Sequence, residues 1–275
     1  MAKTLASCLR EAVQQCAADT ARLDAEVLLA HVLDKPRSYL YTWPDQQISA
    51  EQEAQFQQAW DSYCQGKPIA YITGYREFWT FTLCVNPSTL IPRPETEQLV
   101  DAILRDYPMH SDCVVWDAGT GSGAIALALK SERPQWQISA SDISYEALKA
   151  AQHNAQRLQL PINIVQASWL DAVAADSLDI LVSNPPYIAE DDAHLAALTY
   201  EPITALTATN KGLSDIEQLC QQAMRVLKPR AKFFVEHGYQ QQEAVQAIFQ
   251  THGFLAIETE KDYAGLPRFS HGVKP

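Results

Sequence analysis

The sequence predicts an α/β protein: a mostly parallel sheet, covered by helices on both faces, preceded by a small helical domain. Three observations carry this. From residue 112 onward short apolar segments alternate with helical stretches of about ten residues or more, a pattern that calls for parallel strands joined by crossover helices. The first eighty-odd residues instead place apolar side chains at spacings of three and four. And three of the ten glycines, Gly119, Gly121 and Gly123, follow one predicted strand directly and open a helix.

Taken in order, Leu5, Leu9, Ala12, Val13 and Cys16 form one helical stripe, and Leu23, Val27, Leu28 and residues 30–33 a second that Pro36 is expected to stop. Ser49 with Gln52 is a capping box that opens a helix running to about Gln65, closed by Gly66 and Pro68. Residues 78–85, rich in aromatic and β-branched side chains, read as a strand or hairpin. In Leu90-Ile91-Pro92-Arg93-Pro94 two prolines bracket an arginine, so this is a linker, and a helix from Glu95 to about Tyr107 follows it. Strands are then expected at 113–117, 137–141, 162–165, 178–183, 232–236, 255–258 and 268–273, with helices at 124–132, 144–158, 214–227 and 240–250. The division is a helical domain over 1–75, a hairpin and linker over 76–92, and an α/β domain over 93–275.

Composition narrows the function. Twenty-one basic against thirty-three acidic residues give a net charge of −12, the opposite of the basic footprint expected of a protein that lives on a phosphate backbone. No apolar run reaches membrane-spanning length, and residues 1–15 lack a continuous signal core. The six cysteines have no C-x-x-C spacing, so they read as reduced thiols of a cytoplasmic protein, and no metal site is expected.

The glycine loop runs Asp117-Ala118-Gly119-Thr120-Gly121-Ser122-Gly123. Glycines here let the backbone pass close to a ligand, and Asp142 at the end of the next strand can accept both hydroxyls of a ribose. Two cofactors suit this geometry, a nicotinamide dinucleotide and S-adenosylmethionine. A carboxylate at the loop, Asp117, would repel a pyrophosphate and attract a sulfonium and an ammonium group, which favours the methyl donor. A ligand-free strand-to-helix turn is the bland alternative.

The strand 178–183 runs into Asn184-Pro185-Pro186-Tyr187, beside the glycine loop at the switch point of the sheet. Two prolines end the ladder and leave the Pro185 carbonyl free of it. With the Asn184 side-chain oxygen this makes two acceptors on one rim, and Tyr187 adds a flat ring. Such a corner suits a planar –NH2 group. As an amide or exocyclic nitrogen attacks a methyl group it gains positive charge, and preoriented acceptors stabilise that charge. Orientation of the nitrogen supplies the rest.

Loop, acid and Asn-Pro-Pro-Tyr together resemble the amino-methylating branch of the Rossmann-like class I S-adenosylmethionine-dependent methyltransferases, whose substrates include adenine-N6, cytosine-N4, guanine-N2 and glutamine-N5. The flanks resemble one family within it, the peptide chain release factor glutamine methyltransferases: Pro68-Ile69-Ala70-Tyr71-Ile72-Thr73-Gly74, Glu77-Phe78-Trp79, Ile91-Pro92-Arg93-Pro94-Glu95-Thr96-Glu97, Glu201-Pro202, Glu236-His237-Gly238, and Asp262-Tyr263-Ala264-Gly265 with Arg268. The family that methylates a ribosomal-protein glutamine typically reads Pro-Arg-Ser-Pro at the third of these. The resemblance implies a seven-stranded, mostly parallel sheet and methyl transfer to the glutamine of a Gly-Gly-Gln loop in class I release factors. It implies a cofactor over Gly119, Thr120, Gly121, Ser122 and Gly123, with Asp117 beneath and all six counted as cofactor-binding, its ribose on Asp142, its adenine near Trp169, and Asn184 touching both cofactor and substrate. The substrate amide would meet Asn184, Pro185, Pro186 and Tyr187, and the helical domain would receive the release factor body. A monomer without nucleic-acid or membrane partners is expected. Trp169 has a second reading as core packing, Arg93, Glu95 and Glu97 as helix-capping residues, and Glu236 and His237 as strand-end structural partners. Ser168 stands where that family usually has an acid, residues 194–201 are shorter than usual, and Pro229-Arg230-Ala231-Lys232 replaces a Pro-Gly-Gly turn.

Overall fold

The computed structural model describes residues 3–16 and 19–275; residues 1, 2, 17 and 18, which belong to the expected N-terminal domain, lie outside them. The chain forms two compact units, residues 1–75 and 76–275.

The first unit holds α1 (Leu5–Gln15), α2 (Ala21–Leu33), α3 (Arg37–Thr42), α4 (Ala50–Cys64) and α5 (Ile69–Thr73). Each start is chemically marked. Thr4 and Ser7 cap one another's backbone at α1, and Ser49 and Gln52 do the same at α4, satisfying amides that the first turn leaves unpaired. The apolar stripes meet in one core of Leu5, Leu9, Ala25, Leu28, Leu29, Phe56 and Trp60. The second helix stops before Pro36: Asp34 turns left-handed at its end, and Pro36 instead caps the short α3. Buried Glu26 accepts from Arg22, Arg37 and Tyr41, so its charge is paired.

The second unit opens with a hairpin, β1 (Tyr75–Phe78) and β2 (Phe81–Cys84). It continues through α6 (Pro94–Asp106), β3 (Val114–Ala118), α7 (Ala124–Glu132), β4 (Gln137–Asp142), α8 (Tyr145–Leu158), β5 (Asn163–Gln166) and β6 (Leu178–Ser183). The short strands β7 (Ile188–Ala189) and β8 (Thr207–Ala208) pair beside it. The single turn α9 (Thr209–Gly212) leads to α10 (Ser214–Val226), β9 (Leu227–Glu236), α11 (Gln242–Thr251), β10 (Leu255–Lys261) and β11 (Pro267–Val273).

Seven of these strands form one sheet in the order β10-β11-β9-β6-β3-β4-β5. The pairs β9–β6, β6–β3, β3–β4 and β4–β5 are parallel, and β11 runs antiparallel to both its neighbours. The expected α/β architecture is therefore present. Strand β9 begins five residues earlier than the sequence suggests, at Leu227 rather than Lys232, because its first part pairs with Leu178 before a bulge interrupts the ladder. Proline at 229 and a left-handed Arg230 break the alternation that would have announced it.

The central strands are buried on both faces, which explains their continuous apolar runs. One face packs on α10 and α11 through Leu181, Ile216, Leu219, Ala223, Phe233, Val235 and Phe249. On the other, Asn154 of α8 is fully buried and has three partners. Its Oδ1 accepts from Cys84 N at 2.8 Å, and its Nδ2 donates to the Cys84 carbonyl at 2.9 Å and to the Ser122 carbonyl at 3.0 Å. One side chain thus ties the hairpin to the glycine loop. Replacing it by alanine strands several buried backbone groups, so Asn154→Ala is expected to lower stability by about 2–3 kcal/mol, measured by urea denaturation followed by near-ultraviolet circular dichroism. Among the described residues no helix is long and apolar enough to cross a membrane.

Candidate active site

Crossovers leave the sheet in opposite directions at β3 and β6, and ligands bind at such a reversal, outside the carboxyl ends of the strands. The register places those two ends level: Ala118 pairs with Ser183, and the Ser183 hydroxyl donates to the Ala118 carbonyl at 2.6 Å. The next residues are Gly119 on one side and Asn184 on the other.

Two cavities meet there. The larger, about 500 Å³, is walled by the glycine loop, Asp142, Trp169, Asn184 and the linker residues 88–90. The smaller, about 170 Å³, is lined by Arg93, Asn184, Pro185, Tyr187, Ile188 and Leu198 among others. Asn184 belongs to both walls.

The loop's shape is set from behind. Gly119 N and Thr120 N both donate to the Ser141 carbonyl, at 2.9 and 2.8 Å. Gly119 is left-handed (φ +75°), a conformation that favours glycine, and a Cβ there would lie 3.1 Å from the Trp169 ring, tight enough that the ring would have to shift. Asp142 Oδ2 accepts from Gly121 N at 3.0 Å and its Oδ1 from Ser144 N at 2.9 Å, while the residue also faces the cavity. Burial raises its pKa, with those backbone donors opposing.

The placement of Asp117 differs from the expectation. The residue is fully buried behind the loop and lines neither cavity. Its Oδ2 accepts from the Thr120 hydroxyl at 2.6 Å and from Ala126 N at 3.2 Å, and its Oδ1 has no partner. It is the last inward residue but one of a strand buried on both faces, so its side chain cannot reach the mouth. The charge the sequence assigned to it is instead supplied at the wall by Asp142, Glu146 and Asp215, and among the described residues no Lys, Arg or His lines the larger cavity. That field opposes a pyrophosphate and suits a cation. Gly123 also stands back from the wall, at the amino end of α7.

At the Asn-Pro-Pro-Tyr corner, Asn184 Nδ2 donates to Thr96 Oγ1 at 3.3 Å, whereas Asn184 Oδ1 is buried and has no partner among the described residues. The Tyr187 hydroxyl donates to Glu236 Oε1 at 3.2 Å, and its carbonyl accepts from Gln241 Nε2 at 2.9 Å. Pro185 is buried and lines the smaller cavity, and Pro186 lines the larger. Gly212 packs against the corner so closely that a Cβ would fall 2.0 Å from the Tyr187 carbonyl oxygen.

Several contributors were not legible as such. The linker at 88–92 proves to be cavity wall, as do Pro202, Thr204, Ala205 and Asp215. Arg93 pairs with buried Glu201 at 2.5 Å, and Glu201 also accepts from Ile91 N at 3.0 Å, so these residues clamp the linker to the 194–206 segment rather than cap α6. Glu97 likewise serves Trp79, accepting from its backbone N at 2.9 Å. Trp169 combines both of its readings: it faces the cavity and packs on the core. His237 is a structural partner, with its ring between the Ser270 hydroxyl and the Gly238 carbonyl. Glycine at 212 and glutamine at 241 lie outside any motif, and only their contacts reveal them.

Comparison with solved structures places this sheet among methyltransferases. A methyltransferase from Pyrococcus furiosus superposes with a TM-score of 0.54 at 17% identity, over 70% of this chain and 88% of that one. A Thermus thermophilus 16S rRNA N2 G1207 methyltransferase, solved with AdoMet and guanosine, gives 0.56 at 16% identity, over 73% and 51%. The strand order and the cavity at its switch point are thus those of the class I methyltransferase fold. Two family models match, the PrmC N-terminal domain over residues 7–74 and the methyltransferase small domain over 96–206. Release factor glutamine methyltransferases from Shewanella oneidensis (44% identity, 97% of this chain and 96% of that protein), Vibrio cholerae (44%, 95% and 93%) and Escherichia coli (42%, 96% and 96%) align nearly end to end. The chain belongs to the release factor glutamine methyltransferase family.

Burial pushes Asp117 up to about 7, with the Thr120 and Ala126 hydrogen bonds opposing. A carboxyl whose folded value lies above its unfolded one stabilises the fold when protonated, so its contribution is full below about 4 and is lost as pH rises through about 7. Asp117→Asn should therefore flatten the decline of melting temperature between about pH 5 and 8, and an unchanged slope in thermal scans would contradict the assignment.

Proposed function

We propose that this protein transfers the methyl group of S-adenosylmethionine to the side-chain amide nitrogen of a release factor glutamine, with Asn184 at the reacting centre. One observation carries the reading: the buried Asn184 Oδ1 has no partner among the described residues and lies where the two cavities meet. A buried acceptor without a donor costs about 1–3 kcal/mol, and a planar –NH2 group entering the smaller cavity offers the donor it lacks.

The larger cavity fits the methyl donor in its chemistry. Its walls carry carboxylates and no base, Asp142 presents oxygens for vicinal hydroxyls, and Trp169 supplies a ring beside Gly119. Gly119, Thr120, Gly121 and Ser122 form the floor, which Asp117 and Gly123 hold in shape from behind. When bound, S-adenosylmethionine supplies an electrophilic methyl on a sulfonium.

The residues of the chain then do the rest. Asn184 Oδ1 and the Pro185 carbonyl accept the two hydrogens of the glutamine amide and set its plane. The Tyr187 ring packs on that plane from the smaller cavity. As the nitrogen attacks, its N–H groups become more acidic, and acceptors fixed beforehand stabilise them without reorganisation. Loss of a proton to solvent follows methyl transfer. The linker 88–93 and the segment 194–206, joined by Arg93 and Glu201, contribute walls to both cavities. The substrate is the Gly-Gly-Gln loop of class I release factors, with the helical unit 1–75 receiving the body of the factor. Flanking glycines give that loop the slenderness a cavity of about 170 Å³ demands.

Incubation of a class I release factor with the protein and S-adenosylmethionine should add one methylene, about 14 daltons by elementary mass, to the tryptic peptide holding Gly-Gly-Gln; labelling confined to nucleic acid would refute the substrate. Asn184→Ala should slow methyl transfer by about 10²–10³ with little change in cofactor affinity, by analogy with loss of one oxyanion donor. Asp142→Ala should do the reverse. Single-turnover rates and calorimetric Kd values for the two variants separate these roles.

A further inference from the structure

An asparagine is useful as an acceptor only if its oxygen, not its nitrogen, faces the substrate. The two ends of the amide have the same shape, so packing alone does not choose between them. The choice here is made by hydrogen bonds on the far side. Asn184 Nδ2 donates to Thr96 Oγ1 at 3.3 Å, and Thr96 Oγ1 donates to Glu236 Oε2 at 2.6 Å. The other oxygen of Glu236 takes the Tyr187 hydroxyl at 3.2 Å. Glu236 is fully buried at the end of β9, and Thr96 is buried in the first turn of α6.

Count the protons along this chain. An ionised carboxylate only accepts, so it draws the single hydroxyl proton of Thr96 toward itself. Thr96 Oγ1 then has only lone pairs to show to Asn184, and only the Nδ2 end of the amide can meet a lone pair. Oδ1 is left facing the site. Were Glu236 neutral, its own proton could go to Thr96, the Thr96 proton would turn to Asn184, and the amide would accept it through Oδ1. A substrate –NH2 would then face a donor. We propose that Glu236, acting through Thr96, is a positioning residue that fixes the polarity of the Asn184 amide, and that the same carboxylate holds the Tyr187 ring. The proposal rests on the reading of Asn184 as the acceptor of the substrate amide.

The surroundings of Glu236 bear on its charge. Burial raises its pKa to about 7, while the Thr96 and Tyr187 hydrogen bonds and the charge of Arg268 on β11 favour the ionised form, and Glu95 on α6 opposes it. Arg268 is itself held by Asp262, at 2.9 Å. His237, next in the chain, is turned away onto Ser270 and Gly238, and the charge of Arg93 bears on the Tyr187 hydroxyl. Glu236 is therefore ionised above about 7 and loses its charge below it.

The test uses the full chain, a class I release factor and saturating S-adenosylmethionine, so that titration of the cofactor site does not enter the rate. Turnover by Thr96→Val and by Glu236→Gln should fall about tenfold or more, with cofactor Kd within about threefold of wild type. Thr96→Ser, which restores the hydroxyl, should recover most of what Thr96→Val loses. The wild-type rate should decline as pH falls below about 7, and Glu236→Gln should lack that limb. Wild-type turnover in Thr96→Val overturns the proposal, as does equal loss in Thr96→Val and Thr96→Ser or an acid limb that survives in Glu236→Gln. If Glu236→Gln does not fold, the pair at 96 decides. Asn184→Ala run alongside separates the two levels: full activity there removes the acceptor reading itself, whereas a slow Asn184→Ala with a normal Thr96→Val removes only the relay.

Discussion

Everything at the site depends on one parallel ladder, the pairing of β3 with β6. Val115 lies opposite Ile180, and the register holds to Ala118 and Ser183, where the Ser183 hydroxyl closes the end at 2.6 Å. Both strands then stop together. One continues into glycines and the other into Asn-Pro-Pro-Tyr, so the two motifs, sixty-five residues apart in the Ser183–Ala118 bond that joins their strands, come to share a wall. A slip of one residue would turn each inward side chain outward. It would also set the corner and the loop at different heights and open the wall between the cavities. Close packing against helices on both faces of these strands opposes that slip.

Two fully buried carboxylates stand behind the two motifs, Asp117 behind the loop and Glu236 behind the corner. Burial is the largest influence on both and raises each to about 7. Contrast Glu26 in the helical unit, whose pKa is lowered because Tyr41, Arg37 and Arg22 outweigh its burial. That is a structural arrangement: the charge is matched and the site is inert. Asp117 and Glu236 receive hydroxyls and a backbone amide instead, and those hydroxyls belong to the site. A carboxylate in this position spends desolvation energy to dictate the direction of a neighbour's proton, which a matched ion pair would not do.

The distinction between what the sequence announced and what it hid follows from the range of the interactions. The α/β order, the two capping boxes and the glycine loop depend on neighbours within a few residues, so residue types and spacing are enough to find them. The Asn-Pro-Pro-Tyr corner was legible because proline and asparagine have narrow uses at the end of a strand. The rest required the third dimension. Glu201 meets Arg93 across 108 positions and Glu236 meets Thr96 across 140, and nothing local in those side chains names the partner. Asp117 misled for a related reason. Its place in the motif is fixed by the chain, but whether it faces the cavity is decided by the pleat of a strand buried on both sides, and there it points into the fold. Gly212 gave no sign, because the need for glycine comes from the Tyr187 carbonyl, remote in the chain.

The corner is held against its own preferences, and that explains the number of restraints around it. An orphaned Asn184 Oδ1 costs about 1–3 kcal/mol. Asn210 and Lys211 both sit left-handed beside Gly212, and such residues cost about 1–3 kcal/mol each when not glycine. Within the turn Leu213 N donates to the Thr209 and Asn210 carbonyls, and further support comes from outside it. Gln241 supplies part of it, donating to the Tyr187 and Lys211 carbonyls while its own oxygen accepts from Gly238. The Arg93–Glu201 clamp and the Thr96–Glu236 relay supply more. Each restraint fixes a backbone position or a hydroxyl, and none gives Oδ1 a donor. A nearby hydroxyl or amide that did so would stabilise the fold and close the acceptor to substrate. The unmet oxygen is thus the one element of strain that the surrounding contacts preserve rather than relieve, and a site that must wait for a neutral amide, with no charge of its own to attract it, can offer little else.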